Sequence, residues 1–468
     1  MSVAVAPEAF EVISPIDDRS LLTRAYAGGA EIEAALARAE AAFRGWRKTP
    51  LDARIAVVKA FLAEMEARAD VLADILSQQM GRPRWQADEV PRLKLVGEIA
   101  MREAAMVLAE EAYPSDPGIR RFVRREPLGP TLSICAWNYP TAMLSMLVTE
   151  PLLAGNVVLL KHSPQTPVTA EIAAEAFKAA GGPDGVFQAI HLSHPAAEAL
   201  IASDRLGAVR FIGSVAGGRR VHAAAAGTHT HVHLELGGKD PAYVRADADL
   251  SDAIPLIAEG CFSNAGQSCC SVERIYVHRD IADRFTEALT AEAQNWSLGH
   301  PLTEKAMIGP VVRAAAADGI RGRIAEAVSL GAKPTLAAGR YPAAELGRAY
   351  VEPQVLAACR ADMPIMRDEL FGPVACIEVV SSDEEAIARM NDSEYGLSAG
   401  VWSQDIERAT AVAAEIEAGT VFVNRCDHAD LYLPWGGVKA SGIGRANGRI
   451  GILEATQSKS FHVRRKVG

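Results

Sequence analysis

Residues 131–161 read TLSICAWNYPTAMLSMLVTEPLLAGNVVLLK, and the fold prediction starts from this stretch. It begins and ends with short apolar runs, 131–136 and 156–161, which are typical of buried strands. Further strand-like runs follow at 186–191 and 208–213, with helical segments at 166–180 and 195–202 before each of them. Strands that alternate with helices predict right-handed crossovers and a parallel sheet covered by helices on both faces.

The C-terminal half carries a second series of strand-like runs, separated by Ala-rich helical segments, at 241–244, 274–278, 374–380 and 400–402. We therefore expect two α/β units in succession. Before residue 131, the apolar residues of segment 31–112 recur at helical spacing. Residues 118–127 alternate loosely, and we interpret them as an exposed strand or hairpin arm whose arginines are solvated.

Length and charge narrow the class of protein. At roughly 150 residues per domain, a chain of 468 residues predicts about three domains. Acidic residues outnumber basic ones by 58 to 48, giving a net charge of -10, so nucleic acid is not expected as a partner.

Seven cysteines, an odd and sparse set, favour reduced thiols and a cytoplasmic location. Without a leader pattern or an apolar window of about 20 residues, no membrane association is expected.

Three segments carry candidate chemistry. Cys269 and Cys270 lie among small and polar residues, which leave room for a substrate at a reactive thiol. Glu235 stands between leucines, where desolvation would raise its pKa toward that of a general base; a structural pair with Lys239 is the alternative. The turn 213–218 contains glycines before a helix and could hold a phosphate, or it could be a tight turn without a ligand.

A run of three histidines leads into Glu235. In the segment THTHVH, residues 228–233, strand alternation would place the histidines on one face together with Glu235. Successive positions on one face of a strand are about 7 Å apart, which is too far for three imidazole rings to grip one ion easily. We therefore predict no metal site and interpret the histidines as an exposed strand face.

Taken together, these motifs resemble the aldehyde dehydrogenase superfamily in order and spacing. The resemblance rests on WNYP at 137–140, GNVV at 155–158 followed by Lys161, FIGS at 211–214, LELGGK at 234–239, GQSCC at 266–270, DELFGP at 368–373, ND at 391–392, YGL at 395–397, and GGVK at 436–439 followed by SG at 441–442. It extends over nearly the whole chain. One such motif is weak evidence, whereas the complete series in order is strong.

The resemblance implies that the chain oxidises an aldehyde to the acid and passes hydride to a nicotinamide cofactor. Cys269 matches the family's nucleophile, and Asn138 matches the amide that holds the oxyanion together with the Cys269 backbone N–H. Glu235 matches the residue that activates water to hydrolyse the enzyme-bound thioester. These are the roles for which the residues Cys269 and Glu235 are suited on chemical grounds.

The resemblance also implies a cofactor site and a substrate pocket. Lys161 matches the lysine on the adenosine ribose, Glu369 the carboxylate on the nicotinamide ribose, and Phe371 a ring near the nicotinamide. The remaining predicted cofactor residues are Trp137, Ser163, Gly213, Ser214, Gly218 and Leu236. The predicted pocket walls are Tyr139, Met146, Cys270 and Trp435, which suggest a largely apolar tunnel for a small-molecule aldehyde.

Two departures from the family pattern bear on specificity. NAD-preferring members often carry Glu three residues after the ribose lysine, where this chain has Pro164. Without that carboxylate, Lys161 and His162 could help hold a 2′-phosphate, so we predict use of both NAD and NADP. The loop 424–430 is unusually charged; its Arg425 could bind a carboxylate-bearing aldehyde or could be solvated.

The expected architecture has two Rossmann-like parallel-sheet domains and a small β oligomerisation arm. The cofactor-binding domain takes residues 1–114 and 134–237, the catalytic domain takes 238–452, and the arm takes 115–133 and 453–468. The arm implies a homodimer or homotetramer. The rival functions are a CoA-acylating dehydrogenase, a non-catalytic protein that retains the fold, and a thiol hydrolase. The presence of Cys269, Glu235 and Lys161 disfavours them.

Overall fold

Strands and helices alternate along most of the chain in the computed structural model, which describes residues 8–337 and 339–465. Its strands, in chain order, are β1 (Ala9–Ile13), β2 (Ser20–Ala25), β3 (Glu111–Tyr113), β4 (Ile119–Pro127), β5 (Pro130–Ile134), β6 (Val157–Lys161), β7 (Phe187–Ala189), β8 (Ala208–Ile212), β9 (His231–Glu235), β10 (Asp240–Val244), β11 (Val272–His278), β12 (Lys333–Pro334), β13 (Gln354–Ala357), β14 (Val374–Val380), β15 (Ser398–Trp402), β16 (Thr420–Val423), β17 (Gly442–Ile443) and β18 (Thr456–Arg464).

The helices between these strands are α1 (Gly29–Trp46), α2 (Leu51–Glu66), α3 (Ala69–Met80), α4 (Val90–Val107), α5 (Glu150–Ala154), α6 (Pro167–Ala179), α7 (His194–Ile201), α8 (Val215–Ala225), α9 (Leu250–Phe262), α10 (Ala282–Ala293), α11 (Ala314–Ser329), α12 (Ala343–Leu346), α13 (Pro364–Arg367), α14 (Asp383–Asn391), α15 (Ile406–Ala414) and α16 (Gly448–Glu454). Within the described ranges, no helix is both long enough and apolar enough to span a bilayer.

The first parallel sheet has six strands in the order β17-β9-β8-β5-β6-β7, and all its pairs are parallel except β17 with β9. All five residues of β6 are buried, as a strand covered by helices on both faces requires. The strands predicted from the segment 131–213 are all present in this sheet.

The second sheet has seven strands in the order β12-β13-β14-β11-β10-β15-β16, with only β12 antiparallel to its neighbour. Its central strands β10 and β15 consist entirely of buried residues. The predicted α/β fold with two parallel-sheet units is therefore confirmed.

The arm is a separate three-stranded antiparallel sheet in which β4 lies between β18 and β3. Phe122 of β4 stacks on Phe461 of β18, with ring centroids 4.5 Å apart. Sheet membership differs from the expected arm ranges at two places. The strand β5 belongs to the six-stranded sheet, where all its residues are buried, and β3 joins the arm. Residues 466–468 of the expected arm, and residues 1–7 of the expected cofactor-binding domain, lie outside the described residues.

The N-terminal region is more varied than the predicted helical segment 31–112. It begins with the antiparallel hairpin β1–β2, which the sequence analysis missed. The helical pattern is then divided into α1 to α4. Gly81 ends α3 in a left-handed conformation with φ of +81°, and the chain regains helical geometry only at Val90 apart from one short turn.

Candidate active site

A cavity of about 510 Å³ lies at the carboxyl ends of β5, β8 and β9, where parallel sheets generally bind ligands. Ile212 and Glu235 of the first parallel sheet line it, together with residues of the segments 259–270, 369–371 and 425–429, which precede or follow strands of the second sheet along the chain. It brings together most of the predicted site residues, namely Trp137, Asn138, Tyr139, Met146, Gly213, Ser214, Glu235, Leu236, Cys269, Cys270, Glu369, Phe371 and Trp435. Three predicted cofactor residues, Lys161, Ser163 and Gly218, are not part of its wall.

The Cys269 thiol follows a strained turn. Asn264, Ala265 and Gly266 have φ of 53°, 57° and 70°, so three successive residues are left-handed. Two of them are not glycine, and such residues cost on the order of 1–3 kcal/mol each. Gly266 is required here because a Cβ would overlap the carbonyl oxygen of Gly372. Cys269 is half-buried at the cavity wall, whereas most side chains of this segment are fully buried. The turn therefore directs one accessible thiol into the cavity.

The Asn138 side chain is fixed against the same turn. Its Nδ2 donates to the backbone carbonyl oxygen of Gln267 at 3.2 Å, and the backbone carbonyl oxygen of Asn138 accepts from Asn264 Nδ2 at 3.2 Å. A side-chain amide carries two N–H donors, so one remains for an oxygen atom in the cavity. Gln267, which the sequence analysis missed, is buried and also receives the Val312 backbone N–H at 2.7 Å. The interactions that hold Asn138 are thus long-range and have no local sequence signal.

Glu235 ends β9 and is buried. Burial raises its pKa well above the ordinary value, although Arg445 and Arg210 act in the opposite direction. Gly436 must be small, because a Cβ there would lie 2.8 Å from Glu235 Oε1. The predicted alternative partner, Lys239, instead forms a buried ion pair with Glu273. Glu235 is therefore a desolvated carboxyl group at the cavity wall, as a general base requires.

The prediction of an exposed histidine face is wrong for His233. This side chain is buried, and its Nε2 lies 2.9 Å from Oε1 of Glu235. His231, two positions earlier on β9, is exposed as predicted. The alternation of the strand does place His233 and Glu235 on one face, but that face turns into the protein.

A buried ion pair anchors the cavity end that contains Glu369 and Phe371. Glu273, paired with Lys239, accepts the backbone N–H groups of Leu370 and Phe371 at 2.8 and 2.9 Å. Phe371 has φ of 55° and meets Trp137 edge-on, with ring centroids 5.6 Å apart. The backbone of segment 368–371 is thereby fixed to β11.

Glu369 and Lys161 are titratable groups with shifted pKa values. Burial, with a smaller contribution from the Glu273 charge, raises the pKa of Glu369 to about 8, although the Gly238 N–H donates to its Oε1 at 3.1 Å and acts in the opposite direction. Burial lowers the pKa of Lys161 to about 8. Lys161 is the last residue of β6, and Glu369 contacts the backbone that follows β9. Both charged forms would gain from polar groups of a ligand.

His162 does not have the predicted orientation. It is buried, its Nε2 lies 3.3 Å from the carbonyl oxygen of Pro140, and its Nδ1 accepts the Ser163 N–H at 3.0 Å. Burial lowers its pKa to about 4, so the ring is neutral at neutral pH. The expectation that His162 helps hold a 2′-phosphate is therefore wrong.

The turn after β8 has a tight internal structure. Ser214 caps α8, because its Oγ accepts the Gly217 N–H at 3.2 Å. A Cβ at Gly213 would lie 2.6 Å from the Phe211 ring, and one at Gly218 would lie 2.6 Å from Leu236. Packing alone thus requires small residues at this turn. The geometry therefore leaves both alternatives open, a turn that holds a phosphate and a tight turn without a ligand.

The opposite end of the cavity is more polar than the predicted apolar tunnel. Besides Tyr139, Met146 and Trp435, the wall contains a charged set that the sequence analysis did not assign to the pocket, apart from Arg425: Arg82, Arg92, Glu259, Arg425, Asp427 and His428. For Asp427 and His428, the sequence signal that could have assigned them to the pocket was the unusual charge of the loop 424–430.

Asp427 is the best anchored of these charged residues. Its Oδ1 accepts from Ser268 Oγ at 2.8 Å and from Cys270 Sγ at 3.0 Å, so it braces both neighbours of Cys269. Burial raises its pKa to about 7. Arg82 lies over the Tyr139 ring, with its guanidinium carbon 4.9 Å from the centroid. Ionisable groups of both signs therefore share the cavity wall with the Cys269 thiol.

Comparison with known proteins gives consistent matches over nearly the whole chain. The family model described as the aldehyde dehydrogenase family matches residues 3–461. A succinate semialdehyde dehydrogenase [NAD(P)+] of Escherichia coli K12 is 34% identical, and the match covers 97% of each chain. The 4-trimethylaminobutyraldehyde dehydrogenase of Homo sapiens is 33% identical, covering 97% of this chain and 92% of its own.

A solved structure agrees with these sequence matches. The betaine aldehyde dehydrogenase of Staphylococcus aureus, in complex with NAD+, superposes with a TM-score of 0.93 at 28% identity. The superposition covers 98% of this chain and 92% of that chain. Sequence and structure comparisons therefore agree with the resemblance carried by the motifs.

Proposed function

The chain belongs to the aldehyde dehydrogenase family of NAD(P)-dependent oxidoreductases, and on this premise we propose that it oxidises an aldehyde to the carboxylic acid without coenzyme A. The observation that carries this proposal is that Cys269, Asn138 and Glu235 line one cavity together with Trp137 and Phe371. A nucleophile, an oxyanion donor and a general base thus share one enclosed space with an aromatic wall.

In the first step, the Cys269 sulfur, as thiolate, adds to the aldehyde carbon and forms a thiohemiacetal. The negative charge that develops on the substrate oxygen is stabilised by the free N–H of the Asn138 amide and by the Cys269 backbone N–H. Because Asn138 is already held by Gln267 and Asn264, little reorganisation is needed when that charge forms.

The cavity end around Phe371 fits a nicotinamide cofactor. Trp137 and Phe371 offer ring edges to a flat ring, and Glu369 offers a carboxyl group to ribose hydroxyls. Lys161, at the end of β6 and outside the cavity wall, would offer its ammonium group to the adenosine half of the cofactor. When bound, NAD+ or NADP+ supplies the acceptor for the hydride. The residues of this chain orient it and exclude water. Loss of the hydride converts the thiohemiacetal on Cys269 into a thioester.

In the last step, the Glu235 carboxylate takes a proton from the water molecule that attacks the thioester carbon. The carbon–sulfur bond breaks, the acid leaves, and Cys269 is free again. Since burial raises the pKa of Glu235, its basic form is scarce at low pH, so hydrolysis should accelerate as pH rises. Glu235 also distinguishes this route from an acylating one, in which coenzyme A would take the acyl group.

The finer features of the proposal concern cofactor, substrate and assembly. We propose that the chain uses both NAD and NADP, because Pro164 brings no carboxylate toward a 2′-phosphate. Relatives are named for a carboxylated aldehyde and for a trimethylammonium aldehyde, and the cavity contains charges of both signs.

We also propose a cytoplasmic homodimer or homotetramer in which the exposed strand β18 of the arm pairs with a neighbouring subunit.

The test is reduction of NAD+ or NADP+ at 340 nm with a panel of aliphatic, aromatic, carboxylated and trimethylammonium aldehydes, in the absence of coenzyme A. The matched control pair is Cys269→Ala, which should abolish the signal, and Cys270→Ala, which should retain most of it. A signal that appears only with coenzyme A, or that survives Cys269→Ala, would contradict the proposed function.

A further inference from the structure

A second buried titratable side chain lies directly beside Glu235, and the proposed reaction does not use it. His233 Nε2 is 2.9 Å from Glu235 Oε1, and the two side chains are only 9% and 6% exposed. The contact follows from their spacing, because residues two apart on a strand share a face. It is a contact within β9, so it depends on no mobile loop.

The charged groups around the pair come from four neighbouring segments. Arg210 on β8 is the register partner of His233, and its Nη2 binds Glu150 Oε2 of α5 at 2.7 Å. Arg445 lies before α16, and Glu454 lies within it. Burial, Arg210 and Arg445 hold the pKa of His233 well below its ordinary value, so the imidazole is neutral. A neutral imidazole carries one N–H donor, which can be on Nε2.

The two oxygens of Glu235 have different surroundings. Oε1 meets His233, whereas Oε2 is buried and has no hydrogen-bond partner among the described residues. Buried polar atoms without partners are rare and usually mark a ligand or a functional group. Oε2 is therefore the oxygen that remains for the proton of the attacking water.

We propose that His233 is a positioning residue for Glu235: its Nε2–H binds Oε1, fixes the orientation of the carboxylate and stabilises the ionised form that activates water. This inference rests on the proposed role of Glu235 in thioester hydrolysis. The hydrogen bond opposes the effect of burial, which favours the neutral carboxyl group. His233 acts on the hydrolysis step alone, because its contact is with the base and not with the thiol.

Removal of His233 has a characteristic consequence. In His233→Ala, Oε1 loses its donor, the pKa of Glu235 rises further, and less of the base is ionised at neutral pH. Hydrolysis should slow by about 10-fold near pH 7, and the deficit should shrink as pH rises. Hydride transfer precedes hydrolysis, so the first turnover should remain fast. A purely structural defect would slow both steps equally at every pH.

The experiment is stopped-flow and steady-state cofactor reduction at 340 nm across a pH series, with His233→Ala, His233→Gln, His231→Ala and Glu235→Gln. Gln can donate an N–H to Oε1, so His233→Gln should restore part of the rate. His231 is an exposed histidine on the same strand and provides the matched control. His233→Ala should show a burst of about one reduced cofactor per site, followed by a slow, pH-dependent phase.

The outcomes separate this inference from the proposed function. If Glu235→Gln hydrolyses the thioester as fast as the unmodified chain, the proposed role of Glu235 fails. If Glu235→Gln is slow but His233→Ala matches the unmodified chain, only the role of His233 is overturned. A His233→Ala deficit that stays constant with pH, or that also slows the burst, would equally overturn it.

Discussion

The cavity has a proposed cofactor end, at Glu369 and Phe371, and a proposed substrate end, at Asp427, and the two are stabilised in different ways. At the cofactor end, the buried Lys239–Glu273 pair holds the backbone N–H groups beside Glu369, and the anchor belongs to the core of the second sheet. At the substrate end, Asp427 lies on a loop and is held by the side chains of Ser268 and Cys270. The cofactor end thus depends on buried main-chain contacts, and the substrate end on side-chain contacts that a few substitutions could change.

The largest expected effect on the reaction rate comes from Asn138, at the point where the two ends of the cavity meet. Asn138→Ala removes the side-chain donor for the oxyanion, and loss of one such donor typically lowers the rate by about 10²–10³-fold. The effect should fall on kcat, because the donor matters most when charge develops on the substrate oxygen. Steady-state kinetics would measure it, with cofactor binding by fluorescence as the control. A change confined to KM would contradict the assignment.

A pair of isosteric substitutions tests whether the two ends act separately. Glu369→Gln should weaken cofactor binding by about 10-fold, since an oxygen that can accept from a ribose hydroxyl is replaced by an amide nitrogen that cannot, and should leave the KM for aldehyde nearly unchanged. Asp427→Asn should do the reverse. Titration calorimetry would measure the dissociation constant of the cofactor, and steady-state kinetics with a series of aldehydes would measure their KM values. If either variant altered both constants equally, the ends would not be independent.

Asp427 should also make aldehyde binding depend on pH. Burial raises its pKa to about 7, so the carboxyl group is mainly neutral near pH 6 and mainly ionised near pH 8. The KM for a trimethylammonium aldehyde should therefore fall a few-fold over this interval, and that for a carboxylated aldehyde should rise. Measuring both KM values in the unmodified chain and in Asp427→Asn checks this; a dependence that persists in the variant would exclude Asp427 as its source.

The smallest effect on catalysis is expected in the arm, which lies outside the cavity wall. Phe461→Ala removes the ring stacked on Phe122, an interaction worth roughly 0.5–1.5 kcal/mol beyond its buried area. The proposed homo-oligomer should dissociate more readily, by a few-fold in dissociation constant, with little change in kcat. Sedimentation analysis would measure this, with the exposed Val328→Ala of α11, outside the arm, as control. Equal dissociation of both variants would argue against the arm as an interface.

Much of the fold was predictable because its signal is local. The apolar runs that became β5, β6 and β8 are short and uninterrupted, and the strand at 118–127 ends at Pro127 as expected. The hairpin of β1 and β2 was missed, since its residues are mostly exposed and lack a clear alternation. The prediction of a helical segment over 31–112 was too simple, because a single residue, Gly81, ends α3 within it.

The candidate site was predictable in its residue types but not in its contacts. The structure brings the predicted residues Cys269, Glu235 and Asn138 into one cavity, and their roles stay predictions. The His162 and His233 side chains point into the protein, and Lys239 pairs with Glu273. These arrangements depend on residues distant in sequence, or on which face of a strand is buried. Spacing alone cannot indicate which face of a strand is buried when both faces carry polar residues.

The most direct test of the central claim is to trap the acyl intermediate. Glu235→Gln would be incubated with an aldehyde and NAD+, and the peptide containing Cys269 and Cys270 analysed by fragment-ion mass spectrometry. Since the variant retains the nucleophile and lacks the base, the acyl group of the aldehyde should accumulate on Cys269, together with about one reduced cofactor per site. An adduct on Cys270, or reduced cofactor without any acyl adduct, would contradict the account.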